Sequence, residues 1–233
     1  MILGENNEKM SKARGNVVNP DDIVRSYGAD ALRVYEMFMG PLEQVKPWQT
    51  SGIEGVRRFL ERVWNLGTGP LATDPDAYDD ATRRLVHKTI RKVTMDIEAL
   101  HLNTAISAMM ILVRHLGGLK RVPRDAVVAL TLVLSPFAPH LGEEIWHRLG
   151  HAQSLAHEPW PEADPALVRD EVVEIGVQVN GKLRTTITIA ADADETVARE
   201  AALQEARMRD ALSSKRIKRV IYVQGKILNF LVE

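Results

Sequence analysis

Three patterns of apolar and polar positions succeed one another along the chain. From Gly4 to Asn19 the residues are small or polar with no sustained period, which predicts a flexible stretch. Asn19-Pro20-Asp21-Asp22 predicts a helix start, because Pro fits the first turn and acids suit the positive end of the helix dipole. Gly28 is placed to end that helix, Asp30 to cap a second from Ala31 to about Met39, and Gly40-Pro41 to stop it.

From Ser51 to about Gly150 the period is helical throughout. Ser51 and Glu54 have the spacing of a capping box ahead of Phe59, Val63 and Leu66. Asp79 or Asp80 is expected to cap a long helix reaching about Leu100, and Asn103 one reaching about Leu116 before Gly117-Gly118. A last helical segment from Arg124 is interrupted by Ser135-Pro136 and Pro139, then resumes to Leu149. Helices of this length on short links predict an antiparallel bundle. His151 to Pro165, with Pro159, Pro161 and Pro165, reads as a linker.

Beyond it the period becomes two. Val173, Ile175, Val177 and Val179 alternate with polar or small residues; Asn180-Gly181 signals a tight hairpin, and Leu183, Thr185, Ile187 and Ile189 return. Asp194 is expected to cap a helix carrying Val197, Ala201, Met208 and Leu212 on one side. Strands over 217–223 and 227–232 follow, turning at Gly225. The fold class is therefore multidomain and mainly α. A loop and short helical region (1–50) leads into an antiparallel α-helical bundle with its linker (51–165), and a small α+β (ββαββ) domain closes the chain (166–233).

The composition, 45% apolar and 26% charged over 233 residues, is that of an ordinary globular chain. With 30 Lys plus Arg against 31 Asp plus Glu, the net charge of −1 decides nothing about nucleic acid; only local clustering bears on it. The absence of cysteine excludes disulfides and thiolate-bound metal. No apolar run is long enough to span a bilayer and no signal core follows Met1, so the expectation is a cytoplasmic protein without membrane contact.

Chemistry concentrates at Lys9-Met10-Ser11-Lys12, followed by Ala13-Arg14-Gly15-Asn16. Two ammonium groups and a hydroxyl around a turn suit a polyphosphate, although short Lys/Ser loops also occur as plain solvated loops. Basic residues cluster twice more: Arg84, Lys88, Arg91 and Lys92 on one side of the long helix, and Lys215, Arg216, Lys218 and Arg219 together with Lys182 and Arg184 past the hairpin. Each cluster reads either as a solvated or edge-protecting surface or as a phosphate-contacting one. Arg57, Arg58 and Arg62 are further candidates. Glu98/His101 and Glu144/His147 repeat the Glu-x-x-His device of di-metal bundles, and His140, Glu144, His147 and His151 share a helix side. So short a pattern needs its structural context, and no metal site is expected in this chain.

The run E-K-M-S-K-A-R-G-N-V-V-N-P-D-D-I-V, then Y-G-A-D-A-L-R, resembles the K-M-S-K-S loop of class I aminoacyl-tRNA synthetases and the segment after it. G-P-L-E-Q-V-K-P-W and S-G-I-E-G-V-R-R-F-L-E-R-V-W are similar to the leucyl-tRNA synthetase family in particular, as are V-Q-V-N-G-K-L-R and V-I-Y-V-Q-G-K-I-L-N-F-L-V. L-S-P-F-A-P-H-L-G-E-E-I-W resembles the helical anticodon-binding domain shared by the leucine, isoleucine, valine and methionine enzymes. Zero Cys argues against the cysteine-bound zinc that the isoleucine and methionine enzymes often carry.

The resemblance implies a carboxy-terminal part of a synthetase that activates leucine with ATP, carried with Mg2+, and transfers it to tRNA(Leu), working as a monomer when complete. It implies that Lys9 and Lys12 are catalytic, that Met10 and Ser11 join them in contacting ATP, and that Lys12 meets the departing pyrophosphate. An ammonium that reaches those oxygens mainly in the transition state lowers the barrier rather than merely tightening binding. It also tilts Lys182, Arg184 and Lys215–Arg219 toward tRNA, with Arg84, Lys88 and Arg91 along the bundle. Ala13 departs from the signature's second Ser, which removes a hydroxyl but neither cation. No H-I-G-H signature, nucleotide-binding sheet or editing domain is present, so this polypeptide alone is expected to be inactive. The alternatives are a non-catalytic tRNA-binding module or split synthetase subunit, and a protein-interaction scaffold.

Overall fold

The computed structural model describes residues 2–4, 6–169, 172–213 and 215–233, and divides into two compact units, residues 1–168 and 169–233. The first unit runs β1 (Ile2–Leu3), α1 (Pro20–Tyr27), α2 (Ala29–Phe38), β2 (Lys46–Pro47), α3 (Thr50–Thr68), β3 (Leu71–Ala72), α4 (Asp80–Glu98), α5 (Leu102–Gly117), β4 (Val122–Pro123), α6 (Arg124–Leu134), α7 (Pro139–Arg148) and α8 (Pro165–Val168). Two-residue parallel ladders, β1 with β2 and β3 with β4, fasten chain segments far apart in sequence.

Local chemistry sets most helix ends. Asn19 caps α1 by accepting from the Asp21 N–H, and Asp79 rather than Asp80 caps α4 by accepting from Thr82. Three expected caps serve otherwise. Helix α3 begins two residues early, so Ser51 lies inside its first turn and Gln49 precedes the helix without a side-chain cap. Asn103 likewise lies inside α5, which His101 precedes. Asp30 is buried in the first turn of α2, where Gly28 is the boundary residue, and its carboxylate turns to a different helix.

One apolar core joins α2 through α7, with Ile53, Ile106, Met109, Leu130, Leu134 and Phe137 fully enclosed. Tyr35 and Trp48 meet edge to face at 4.9 Å, and the Tyr35 hydroxyl both donates to the Gln49 carbonyl and accepts from its N–H. Gly67 lets α3 approach α7: a Cβ there would lie 2.6 Å from Ile145 Cγ2.

The Pro-rich stretch after α7 is strapped down rather than loose. Leu155 is buried, Ser154 Oγ donates to Glu143, Trp160 Nε1 donates to Thr94, and the Asp164 N–H donates to His87 Nδ1. Helix α8 packs against α4.

The second unit has β5 (Val172–Val179), β6 (Lys182–Ala190), α9 (Glu195–Gln204), α10 (Ala206–Leu212), β7 (Ile217–Val223) and β8 (Ile227–Val232), with the sheet ordered β6-β5-β8-β7. Asn180 and Gly181 both have positive φ, 50° and 77°, as a tight hairpin turn requires. Strands β5 and β8 pair in parallel at the centre, leaving β6 and β7 as edges. Ile175, Val177 and Val179 share the buried face with Ile187, Ile189, Leu228 and Phe230.

Two expectations fail here for definable reasons. A register shift at Val177/Gln178 pairs Gln178 with Leu183 and leaves Arg184 as the extra residue, so Leu183 swings out and is 58% exposed. The single helix is broken at Glu205 into α9 and α10, which changes its phase: Ala198, Ala202 and Met208 are buried while Val197 is exposed.

Candidate functional site

The loop of Lys9 and Lys12 is more ordered than its composition suggests. Asn16 reaches back across it: its Oδ1 accepts from the Ser11 N–H at 2.9 Å and its Nδ2 donates to the Lys9 carbonyl at 3.4 Å. Ser11 caps a single 3-10 turn over Lys12–Arg14, its hydroxyl accepting from the Arg14 N–H at 3.3 Å, and Gly15 ends that turn at φ 65°. The Ser11 hydroxyl therefore has a local partner. Arg14 pairs with Glu8, whereas the Lys9 and Lys12 side chains are exposed and enter no ion pair among the described residues. Met10 packs toward the core and anchors the loop between the two lysines. The result is a hydrogen-bonded turn presenting two free ammonium groups, an arrangement suited to phosphate oxygens.

The basic residues of α4 are not one free cationic face. Lys92 Nζ lies 2.6 Å from both carboxylate oxygens of the buried Asp96, to which Thr104 also donates, so this group ties α4 to α5. Arg84 and Lys88 are half-buried and each has an interaction of its own; Arg91 is exposed. Arg57 pairs with Glu61 at 2.9 Å.

The second unit gathers what the sequence separates. Val179 pairs with Lys182 across the hairpin, Asn180 bonds through both side-chain atoms to Val232, and Ile217 pairs with Val232. The start of β6, the start of β7 and the end of β8 therefore share one end of the sheet. Lys182 and Arg184 stand on one edge there, Arg216, Lys218 and Arg219 on the other, with Lys215 just before β7. Lys218 is paired with Glu233 at 2.6 Å. Arg184 is half-buried at the bulge, with its Nε enclosed and without a hydrogen-bond partner among the described residues. Gly181 donates to Asn229 Oδ1, so two asparagines lock this end.

The Glu-x-x-His pairs do not converge. Glu144 pairs with Arg148, His140 Nδ1 meets Asp30 at 2.8 Å, and His151 stacks on Trp146 at 3.5 Å. Among the described residues no group of three or more His, Asp or Glu is placed to hold a metal. No helix among them is long and apolar enough to cross a membrane.

Sequence reasoning missed the roles of Asn16 and Asn229. Asn16 alone offered a signal, an amide side chain that can bridge two backbone groups directly after a glycine.

Comparison with known proteins places this geometry. Residues 79–199 match the anticodon-binding domain of tRNA ligase, and residues 1–46 match the class I tRNA synthetases for isoleucine, leucine, methionine and valine. The chain belongs to the family defined by the anticodon-binding domain of tRNA ligase. Its whole length is 58% identical to a leucine–tRNA ligase of Sorangium cellulosum and 48% identical to one of Chlorobium phaeobacteroides, of which it spans 27% and 29%. Among solved structures, it matches over its full length a leucyl-tRNA synthetase of Agrobacterium radiobacter K84 in a ternary complex with tRNA and LeuAMS, with TM-score 0.85 and 34% identity, covering 33% of that chain. A methionyl-tRNA synthetase of Mycobacterium tuberculosis shares the fold over 72% of this chain and 39% of its own, with TM-score 0.51 and 16% identity.

Proposed function

We propose that this chain serves a leucine–tRNA ligase as the part that closes a lysine loop on ATP and docks tRNA(Leu). The observation that carries the reading is the Asn16-clamped turn, on which Lys9 and Lys12 are exposed and enter no ion pair among the described residues. When the leucine carboxylate attacks the α-phosphate, the bond to pyrophosphate breaks and negative charge grows on the leaving oxygens. Lys12, approaching those oxygens, stabilises that charge, and its removal costs roughly 10²–10³ in rate. The loop must open for substrates and products, which suits an exposed turn held by a few hydrogen bonds.

In the same reading the helices of residues 51–165 form a bundle of the anticodon-binding type. The basic sheet end of residues 166–233 contacts RNA backbone. Clustered Lys and Arg on exposed strand ends, rather than net charge, support it. The retained Lys9/Lys12 pair favours this reading over a purely binding module, which has no use for a nucleotide loop.

The test uses the complete ligase. Lys12→Ala should depress leucine-dependent ATP–pyrophosphate exchange far more than tRNA affinity, and neutralising Lys215, Arg216, Lys218 and Arg219 should do the reverse. Equal loss of both activities in both variants overturns the division of labour.

A further inference from the structure

The dipeptide that turns the β5–β6 hairpin is also a chemically labile one. A two-residue turn of this kind needs positive φ at both positions, and Asn180 and Gly181 supply it at 50° and 77°. Asn180 alone among the asparagines of the chain is followed by glycine. An asparagine amide is open to attack by the backbone nitrogen of the next residue, and glycine offers that nitrogen with no side chain in the way. Both residues are exposed, and a Cβ on Gly181 would meet nothing within 4 Å, so no neighbour shields the pair by bulk.

Three hydrogen bonds engage the reacting atoms elsewhere. Asn180 Nδ2 donates to the Val232 carbonyl at 3.1 Å, Asn180 Oδ1 accepts from the Val232 N–H at 2.9 Å, and the Gly181 N–H donates to Asn229 Oδ1 at 3.1 Å. The hairpin does not need them to close, because β5 and β6 already meet at Val179 and Lys182. Their effect falls on the amide, which is turned toward Val232, and on the nitrogen that would attack it, which is bonded to Asn229.

We propose that Asn180 is a deamidation site, kept in check by Asn229 and Val232 and released when this end of the sheet opens. The site does not depend on the docking reading above. In the reaction the Gly181 nitrogen gives its proton to hydroxide and bonds to Asn180 Cγ. The bond from Cγ to Nδ2 breaks, Nδ2 takes a proton from water and leaves as ammonia, and a five-membered succinimide remains. Water then opens the ring at either carbonyl, giving aspartate or isoaspartate with no oxidant or reductant involved. Neither product regains the native contacts. Aspartate sets a carboxylate oxygen against the Val232 carbonyl where a donor stood, and isoaspartate adds a backbone carbon to a two-residue turn. Opening precedes attack, and at an edge strand it takes a local fluctuation rather than global unfolding.

The experiment incubates the whole chain in mildly alkaline buffer, native and in denaturing urea. Peptide mass spectrometry follows the amide-to-acid mass gain at Asn180, and methyl transfer from S-adenosylmethionine by an isoaspartyl methyltransferase scores isoaspartate. In urea Asn180 should convert faster than every other asparagine, and roughly tenfold or more faster than in the native chain. Native Asn229→Ala should convert about fivefold faster than native wild type, the factor that follows from losing one ordinary hydrogen bond. Asn229→Asp, which keeps an acceptor for the Gly181 N–H, should stay near the wild-type rate. Equal rates in native and unfolded wild type overturn the restraint, and so does a folded Asn229→Ala that converts no faster than wild type. No preferential conversion at Asn180 in urea, or undiminished conversion there in Gly181→Ala, removes the site itself. If circular dichroism shows Asn229→Ala unfolded, wild type in sub-denaturing urea decides. Its conversion rate should rise in step with exchange of the Gly181 amide, and a flat rate overturns the proposal.

Discussion

The carboxylate of Asp30 caps a helix to which it does not belong: its Oδ2 accepts from the Leu141 N–H at 2.7 Å. Helix α7 starts at Pro139 after Ala138, which supplies no side-chain cap, so its first turn is short of acceptors. Asp30, on α2, fills that need across 111 positions of sequence and also holds the ring of His140 at 2.8 Å. One buried acid thus ties α2 to α7, the last long helix of the first unit. Asp30→Ala should destabilise this unit by about 1–2 kcal/mol, the range for loss of a cap, read as a lower urea midpoint at unchanged slope. Asp30→Asn, which keeps an acceptor, should recover part of the loss. A midpoint unmoved by Asp30→Ala contradicts the cap.

The lysine loop offers a second test. Because the Asn16 side chain bonds back to the Ser11 N–H and the Lys9 carbonyl, Asn16→Ala should free the loop without touching either ammonium. The Ser11 amide should then exchange with solvent faster, while the unfolding midpoint stays within about 0.5 kcal/mol of wild type, as for other exposed sites. Unchanged Ser11 protection rules out the clamp.

Residues whose partners are local were legible from sequence. Asn19 and Asp79 cap the helices they precede because each satisfies a backbone group two or three residues away, and Asn180-Gly181 turns the hairpin because both adopt the positive φ that a tight turn requires. Asp30 was misread because its partner is distant, and no sequence pattern separates a cap that faces its own helix from one that faces another. Leu183 was misread because the alternation rule assumes an unbroken ladder; the one-residue bulge at Arg184 sends it to the opposite face. The lysine loop was visible as a motif, but its order was not, since composition reads Gly and Asn as flexibility. Lys92 looked like part of a free basic face because Asp96, four residues on, was not weighed as its partner.

Tyr78 predicts an alkaline effect. Burial, reinforced by the nearby Asp125 carboxylate, raises its phenol from 10.0 to about 12, although Arg83 over the ring pulls the other way. The folded state therefore favours the protonated phenol. The stability this contributes is fully present below pH 10 and is lost as pH rises toward 12. The phenolate absorbance difference between wild type and Tyr78→Phe should show a transition near pH 12, and the variant should lose less stability between those two pH values. A difference transition centred near 10 refutes this environment.

Close helix packing gives a prediction against propensity. Alanine is the better helix former by about 1 kcal/mol, yet a Cβ on Gly67 would stand 2.6 Å from Ile145 Cγ2. Ile145 is fully buried and has no room to retreat, so Gly67→Ala should cost a net 1–3 kcal/mol or so from overpacking. The paired change Gly67→Ala/Ile145→Ala, which removes the Cγ2 methyl at the clash, should be less destabilised than the sum of its parts. Strict additivity in that cycle argues against direct contact.

The hairpin turn couples stability of the sheet end to the charges it carries. Gly181 sits at φ 77° and donates to Asn229 Oδ1 at 3.1 Å, while Asn180 accepts from and donates to Val232. A side chain at a left-handed φ costs roughly 1–2 kcal/mol, so Gly181→Val should strain the turn and loosen the ends of β6 and β8 together. Lys182 and Arg184 follow that turn directly, and Arg216 is bonded through its backbone to Glu233 beyond β8. In the docking reading, both edges should then hold RNA less well although no cation has been removed. The expected signature is a lower affinity for tRNA(Leu) with a nearly unchanged salt slope, because the number of phosphates neutralised stays the same. Neutralising Lys215, Arg216, Lys218 and Arg219 should instead flatten the slope. If Gly181→Val flattens it equally, the turn acts by removing contacts rather than by loosening the frame that presents them.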